Sequence, residues 1–502
     1  MRGWLVGSLS SWVIIFSFSI PNAQTVAVGS AAEAFTSATS DGAWTFFTDP
    51  RAIQFKGTKD KTYLAFLDKA GSDRIWSFDH ATSKVDTFTL HKTLAVDDHN
   101  NPAIYLRKDG RLTAFYQRHS QDKFVFLRTT TLPEDITKWD KEDTLVMPEN
   151  VTYCHPFRLD GEVGTKGIGR LFVFSRSIGF HPTLTTSDDE GQTWSPSVKV
   201  IGGPGQRPYV KYISDGNKTV HIAFTDGHPR NEATNSIYYM AYHDGAFWHA
   251  NGTKIKTLAQ LPIEHTEADK VYDGSTDGRA WIWDIALDSK NSPVLVHSVC
   301  PTETDHRYYY ARWTGKAWKD GLMTKAGGWF EQTPAGTVEP EPHYSGGLIL
   351  DPTDPNIVYL SKPTDSIFEI EKWVTADSGK TWKSSAITTG SAYSNARPIL
   401  PHPAMGQRPE HRMLFWMNGG YIHYTKFSTG IRYFAWSEAP VVGVNRKAFL
   451  ILQAEAGRPV LRAVLNDQDA PLGASRDLTG KLLSESPEAA AGIRIGTIQE
   501  SR

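Results

Sequence analysis

The chain has 502 residues, of which 12% are aromatic and 16 are Trp, enough to fill one large core or a repeat architecture. Charged residues make up 22% and the formal net charge is -2. No field of one sign is available to recruit nucleic acid, so that partner class is excluded and an anionic ligand must be read by a few placed cations.

The N-terminus reads as a targeting segment. Met1-Arg2 is followed by a largely apolar run from Leu5 to Ile20 and then by Pro21-Asn22-Ala23-Gln24, the pattern of a secretory signal peptide over residues 1–23. The run is shorter than the ~20 residues of a membrane span, so a secreted, extracellular protein with no membrane partner is expected. Three Asn-x-Thr acceptors, at Asn150, Asn217 and Asn251, agree with a secretory route. Cys154 and Cys300 are read as free or metal-bound thiols, because a chain of this size needs no staple.

Residues 24–437 carry one pattern seven times. An apolar strand with a polar lead-in recurs at Thr62–Leu67, Arg111–Tyr116, Arg170–Ser175, Thr219–Phe224, Pro293–His297, Asn356–Ser361 and Arg412–Met417. Each copy follows a second strand, beginning in turn at Asp49, Asp98, Tyr153, Arg207, Trp281, Tyr344 and Arg397. The spacing predicts an all-β, seven-bladed propeller of four-stranded blades. Two eight-residue turns fit the same architecture: Ser187-Asp-Asp-Glu-Gly-Gln-Thr-Trp and Thr375-Ala-Asp-Ser-Gly-Lys-Thr-Trp are Asp-boxes. In them Asp caps backbone N–H groups, Gly makes the tight turn and Trp packs between strands. Residues 438–502 contain no copy and are read as a partly disordered tail.

Equivalent positions of propeller repeats lie at one height around the axis. The lead-in residues therefore form a ring of Arg51, His99, Tyr153, Arg207, Tyr344 and Arg397, and a second ring holds His119, Arg176, Asp226 and His228. Arg, His and Tyr at one repeat position suit an anionic ligand. The chemistry such groups support is β-elimination on a uronic acid. Arg neutralises the carboxylate, one His or Tyr removes the C5 proton, and another protonates the oxygen leaving C4.

The segments Gly42-Ala-Trp-Thr-Phe-Phe-Thr-Asp-Pro-Arg, Asp97-Asp-His-Asn-Asn-Pro, Phe115-Tyr-Gln-Arg-His and Thr225-Asp-Gly-His-Pro-Arg-Asn resemble a propeller family. It is the BNR-repeat group that contains ulvan lyases, rhamnosyl-glucuronate lyases and a related rhamnosidase. The similarity runs from about Gly42 to Phe427 and includes Asp305-His-Arg-Tyr-Tyr-Tyr-Ala-Arg-Trp and Tyr344-Ser-Gly-Gly. It implies that His99 and His119 are catalytic, with Tyr153 in proton transfer and Arg176 on the carboxylate. Arg51, Asn100, Arg207, Tyr209, Arg230, Tyr344 and Arg397 are then the substrate contacts. The expected activity is that of a polysaccharide lyase, a rhamnose-α-1,4-glucuronate lyase on arabinogalactan or gum arabic, with ulvan as the near alternative, acting as a monomer on a uronic-acid-containing polysaccharide.

Some members of the group hold a structural zinc through histidines and one cysteine. His228, His297, Cys300 and His306 offer those ligand types here, and a packed cysteine beside satisfied histidines reads the same residues equally well. A calcium in the central funnel is the other cation considered, although no dedicated calcium loop is present. No organic cofactor is expected. A sialidase would need an Arg-Ile-Pro segment in the first blade, where this chain reads Asp-Pro-Arg-Ala. A hydrolytic rhamnosidase and a non-catalytic glycan-binding propeller are the remaining alternatives.

Overall fold

The computed structural model describes residues 35–203, 207–330, 340–342, 344–438 and three strands beyond. The expected signal peptide lies outside the described residues. Among those residues no helix is long and apolar enough to cross a membrane.

Seven sheets follow one another along the chain up to Ser437, antiparallel except where the short strand His402–Pro403 pairs in parallel with Ala52–Lys56. Their first strands are Ala52–Lys56, Ala103–Leu106, Thr152–Val163, Val210–Ser214, Arg279–Leu287, Leu348–Leu350 and Asn395–Ile399. Each lies at or next to one edge of its sheet and packs beside the first strand of the next, so these strands form the inner ring of a propeller with blades I to VII. Each of the seven repeat copies falls in the second strand of its blade: Asp60–Leu67, Leu112–Gln117, Gly169–Arg176, Val220–Thr225, Pro293–Thr302, Ile357–Thr364 and His411–His423. These strands read as continuous apolar runs because both of their faces are covered by neighbouring blades. Leu112–Gln117 and Val220–Thr225 are buried along their whole length.

The core is divided into clusters between blades. Tyr63, Ile75, Ile104 and Tyr116 join blades I and II. Phe172, Phe174, Ile222 and Phe224 join blades III and IV. The ring is closed by the N-terminal strand Thr36–Thr39, which pairs antiparallel with Lys426–Ser437 as the outermost strand of blade VII. Both ends of the unit are thus tied into one sheet, which leaves no open seam.

The two Asp-boxes adopt the same geometry. Asp189 accepts from the Thr193 backbone at 2.7 Å and Asp377 from Thr381 at 2.9 Å, while Gly191 and Gly379 share φ of 89°. Trp194 reaches Phe115 of the preceding blade, and Trp382 reaches Tyr310 in the same way.

Blades VI and VII are bolted by a buried ion pair. Arg412 places Nη2 2.7 and 2.8 Å from the two oxygens of Asp351, and both residues are almost fully buried. Removing one partner of such a pair strands the other charge at a cost of about 3–5 kcal/mol. Asp351→Ala is therefore expected to lower the thermal midpoint by several degrees, as measured by calorimetry, while leaving the site residues untouched.

The described residues separate into two compact units with the boundary after Ser437. Beyond it, Lys447–Glu455, Arg458–Asn466 and Ile495–Thr497 form a three-stranded antiparallel sheet of their own.

Candidate functional site

The inner strands begin at one end of the propeller axis, and there the backbone is unusual. Tyr153, Arg207, Tyr344 and Arg397, which occupy matching positions before or at the start of four inner strands, all have positive φ, from 52° to 64°. A left-handed conformation costs a side-chain-bearing residue roughly 1–2 kcal/mol. Its repetition in four blades marks the region as one where geometry outweighs local preference. Beside these residues lies a cavity of about 120 Å³ lined by Phe46, His99, His119, Tyr153, Arg207, Tyr209, His228, Trp281, Tyr344, Tyr421 and Tyr424.

The strongest feature of the cavity is a pair of stacked histidines on one carboxylate. Asp97 caps the short turn Asp98–Asn100, accepting from the His99 backbone at 3.0 Å. The same oxygen lies 2.7 Å from His99 Nδ1, and the other lies 2.9 Å from His119 Nδ1. The imidazole rings stack with centroids 4.0 Å apart at 11°. His119 reaches this place because it stands just past the second strand of blade II, while His99 precedes the first. Asp98 stands 3.0 Å from His99 Nδ1 and is itself held by Arg397 at 2.7 Å and by the Tyr421 hydroxyl at 2.6 Å.

These contacts separate the two imidazoles. Burial opposes charge on His99, but Asp97 and Asp98 outweigh it and push its pKa up to about 9. Burial and the neighbouring His99 bring His119 down to about 4. Near neutral pH the pair therefore holds one cation and one neutral ring. The Tyr153 phenol is pushed well above its usual value by burial and by Tyr209, so it stays protonated and serves as a donor.

Arg176 stands behind the wall of the cavity. Its guanidinium lies 4.8 Å from the Tyr153 ring centre and 5.5 Å from that of Tyr209. It is buried, makes only long hydrogen bonds to Ser120 and Thr152, and has no carboxylate partner among the described residues. The floor is aromatic: Phe46 and Phe47, from the segment that leads into blade I, pack on Trp281, Trp283, Tyr153 and Tyr209. Lys211 of blade IV crosses the axis to Asp49 of blade I at 2.7 Å and also donates to the Phe46 carbonyl.

The expected residues divide into two groups. His99, His119, Tyr153, Arg207, Tyr209 and Tyr344 line the cavity together. The others do not. Arg51 is buried on Asp49 and the Thr45 carbonyl. Asn100 is buried and donates to the Ala95 carbonyl. Arg397 is clamped between the Phe46 and Tyr421 rings and pairs with Asp98. Arg230 is exposed on the blade IV loop. Each buried arginine of the ring meets an acidic or carbonyl oxygen, which is the cheapest way to hold a desolvated guanidinium.

The four candidate zinc ligands do not come together as one group among the described residues. His297 bonds Asp320 at 3.0 Å, His306 bonds Ser345 at 3.0 Å, Cys300 is a buried free thiol and His228 lines the cavity. On the axis, Asp49 has one oxygen on the Lys211 ammonium and the other on Arg51, and the Phe46 carbonyl also accepts from Lys211. Asp97, His99 and His119 are the one grouping of metal-type ligands among the described residues. Both Nδ1 atoms are already spent on Asp97, and parallel rings send their remaining lone pairs side by side. They do not converge on one ion at ~2.0–2.1 Å.

Phe46, Asp97, Trp281, Tyr421 and Tyr424 are site residues that the repeat argument did not single out. Tyr421 and Tyr424 come from the tip of the long blade VII hairpin, whose Tyr424 carbonyl accepts from the Asp98 backbone at 2.8 Å. The Tyr424 ring stands edge-on to His99 at 5.0 Å.

Comparisons with known proteins agree on the architecture. An ulvan lyase structure described as a new polysaccharide lyase family is 15% identical, with a TM-score of 0.60 over 80% of this chain and 96% of that one. An ulvan lyase structure bound to -[GlcA(1-4)Rha3S]- is 14% identical, with a TM-score of 0.59 over the same shares. At these identities the likeness establishes the propeller fold. No curated protein matches the chain. The model of the BNR repeat-containing family matches residues 61–326, more than half of the sequence, and the chain belongs to that family.

Proposed function

We propose that the chain is a secreted, monomeric polysaccharide lyase that cleaves the bond at C4 of a glucuronate by β-elimination. The preferred linkage is rhamnose α-1,4 to glucuronate, as in arabinogalactan or gum arabic, and ulvan is the near alternative. The observation that carries this reading is the His99–His119 stack on Asp97, facing a cavity walled by Tyr153 and backed by the Arg176 cation. The glucuronate-rhamnose ligand named for the ulvan lyase of the same fold supports the substrate class.

In this reading the neutral His119 takes the C5 proton. The electron pair of that bond forms the C4–C5 double bond, the C4–O bond breaks, and the leaving oxygen takes a proton from His99. Tyr153 donates a hydrogen bond to the same oxygen, and the cations of the site hold the carboxylate so that C5 becomes acidic.

The test is to incubate the purified protein with gum arabic and, separately, with ulvan, following ultraviolet absorbance and the released sugars. An unsaturated uronate at a new chain end is expected. Free rhamnose with a saturated glucuronate would identify a hydrolase instead, and binding of either glycan without any product would identify a lectin-like propeller.

A further inference from the structure

We infer that Asp97 is the positioning residue of this site: by bonding Nδ1 of both His99 and His119 it fixes one tautomer on each ring and confines a single ionisable proton to the pair. This rests on the lyase reading for its catalytic meaning, but the proton count it asserts is a property of the resting protein.

The argument starts from hydrogen-bond inventory. An ionised carboxylate only accepts, so the two Nδ1 atoms at 2.7 and 2.9 Å must both carry hydrogen. The carboxyl of Asp97 is held well below its ordinary range: burial opposes ionisation, but His99 and His119 outweigh it. With both Nδ1 positions fixed, what remains to titrate is the opposite nitrogen, Nε2, of each ring. Two stacked imidazoles 4.0 Å apart repel when both are charged, so one of the two Nε2 atoms keeps a proton and the other keeps a lone pair.

The surroundings decide which ring is charged. His99 is faced by Asp98, whose other oxygen is shared with Arg397 and Tyr421, and by the Tyr153 and Tyr424 rings. His119 is faced by Tyr424 and feels the Arg176 cation, with no second carboxylate bonded to it among the described residues. His99 is therefore the acid and His119 the base. In one elimination His119 gains a proton from C5 and His99 gives one to the leaving oxygen. The charge of the Asp97–His99–His119 unit is the same before and after, and the proton has crossed from one ring to the other.

The experiment has an arm that needs no substrate. Histidine 15N spectra of the wild-type protein near pH 7 are expected to show one buried imidazolium and one buried neutral ring, both with hydrogen on Nδ1. In Asp97→Asn the difference should collapse to two neutral rings near pH 7, because Asp97 is the largest of the groups that keep His99 charged, whereas His119 is held down by burial and not by Asp97. A wild-type spectrum with two neutral rings, or with Nδ1 unprotonated on either, overturns the inference whether or not the protein is a lyase.

The second arm is kinetic, with whichever glycan is cleaved. The wild-type rate should plateau between a limb near pH 4 and a limb near pH 9, because His119 is lost as a base below the first and His99 as an acid above the second. Asp97→Asn should lower kcat by roughly 10²–10⁴-fold with little change in KM, the span between losing one well-placed acid or base and losing the carboxylate that orients a catalytic imidazole, and should bring the upper limb of the plateau down. An unchanged plateau and kcat in a folded Asp97→Asn protein overturns the inference. Wild-type spectra as expected, with no glycan cleaved, would leave the proton count standing and remove the lyase reading alone.

Discussion

His119→Ala is expected to lower kcat on the cleaved glycan by about 10³-fold, within the range that a well-placed base contributes, while the fold is kept. The reasoning is that elimination at C5 needs a neutral base near pH 7, and His119 is the group the site holds in that state. Burial and the adjacent His99 bring it down to about 4, whereas His99 is kept charged and Tyr153 keeps its proton. His99→Ala should cost a comparable factor for a different reason: it removes the acid, and with it the stacking partner that depresses His119. The double variant should be little worse than either single one, because the two rings act as a unit. Circular dichroism and the thermal midpoint separate this from unfolding, since the His119 ring lies at the edge of a cavity and not within an inter-blade cluster. If both single variants kept full activity, the acid–base assignment would be wrong.

Much of the fold was legible because a propeller repeats one demand seven times. A strand covered on both faces must be apolar throughout, and that is visible at Leu112–Gln117 or Val220–Thr225 without knowledge of the partners. The Asp-boxes were legible because a tight turn with a capped backbone needs Asp, Gly and Ser or Thr at fixed offsets. Closure by Thr36–Thr39 was not, since four half-exposed residues carry no signal that distinguishes an outer strand from a linker.

The site was legible only where it obeys the repeat. His99, Tyr153, Arg207 and Tyr344 were found as lead-ins and do line the cavity. The same rule also selected Arg51 and Arg397, which a buried Asp neutralises, and sequence spacing gives no view of that neighbour. Tyr421 and Tyr424 escaped because they sit on a long hairpin that has no counterpart in the repeat pattern, an exception to the pseudo-symmetry of the blades. Asp97 escaped for another reason: it stands inside the segment Asp97-Asp-His-Asn-Asn-Pro, which points to His99, and nothing in the spacing places its second oxygen on His119.

Arg176→Gln is expected to lower kcat by about 10²–10³-fold, the cost typical of removing one preorganised electrostatic contact, with KM changed far less. A buried guanidinium without a carboxylate is expensive to keep, several kcal/mol by ordinary desolvation, and Arg176 is in that condition among the described residues. Its charge reaches the cavity across the Tyr153 and Tyr209 rings, where, in the proposed elimination, it favours the negative charge that develops on the uronate. Arg207 is placed otherwise: it lines the cavity, is exposed, and rests on the Phe180 ring at 5.0 Å. An exposed cation at the mouth meets the ground-state carboxylate as readily as the transition state, so Arg207→Ala should raise KM several-fold and spare kcat. Steady-state kinetics on the two variants decide the matter. A fully active, folded Arg176→Gln protein would show that the buried charge serves the fold alone, and a loss confined to KM would move Arg176 from catalysis to binding.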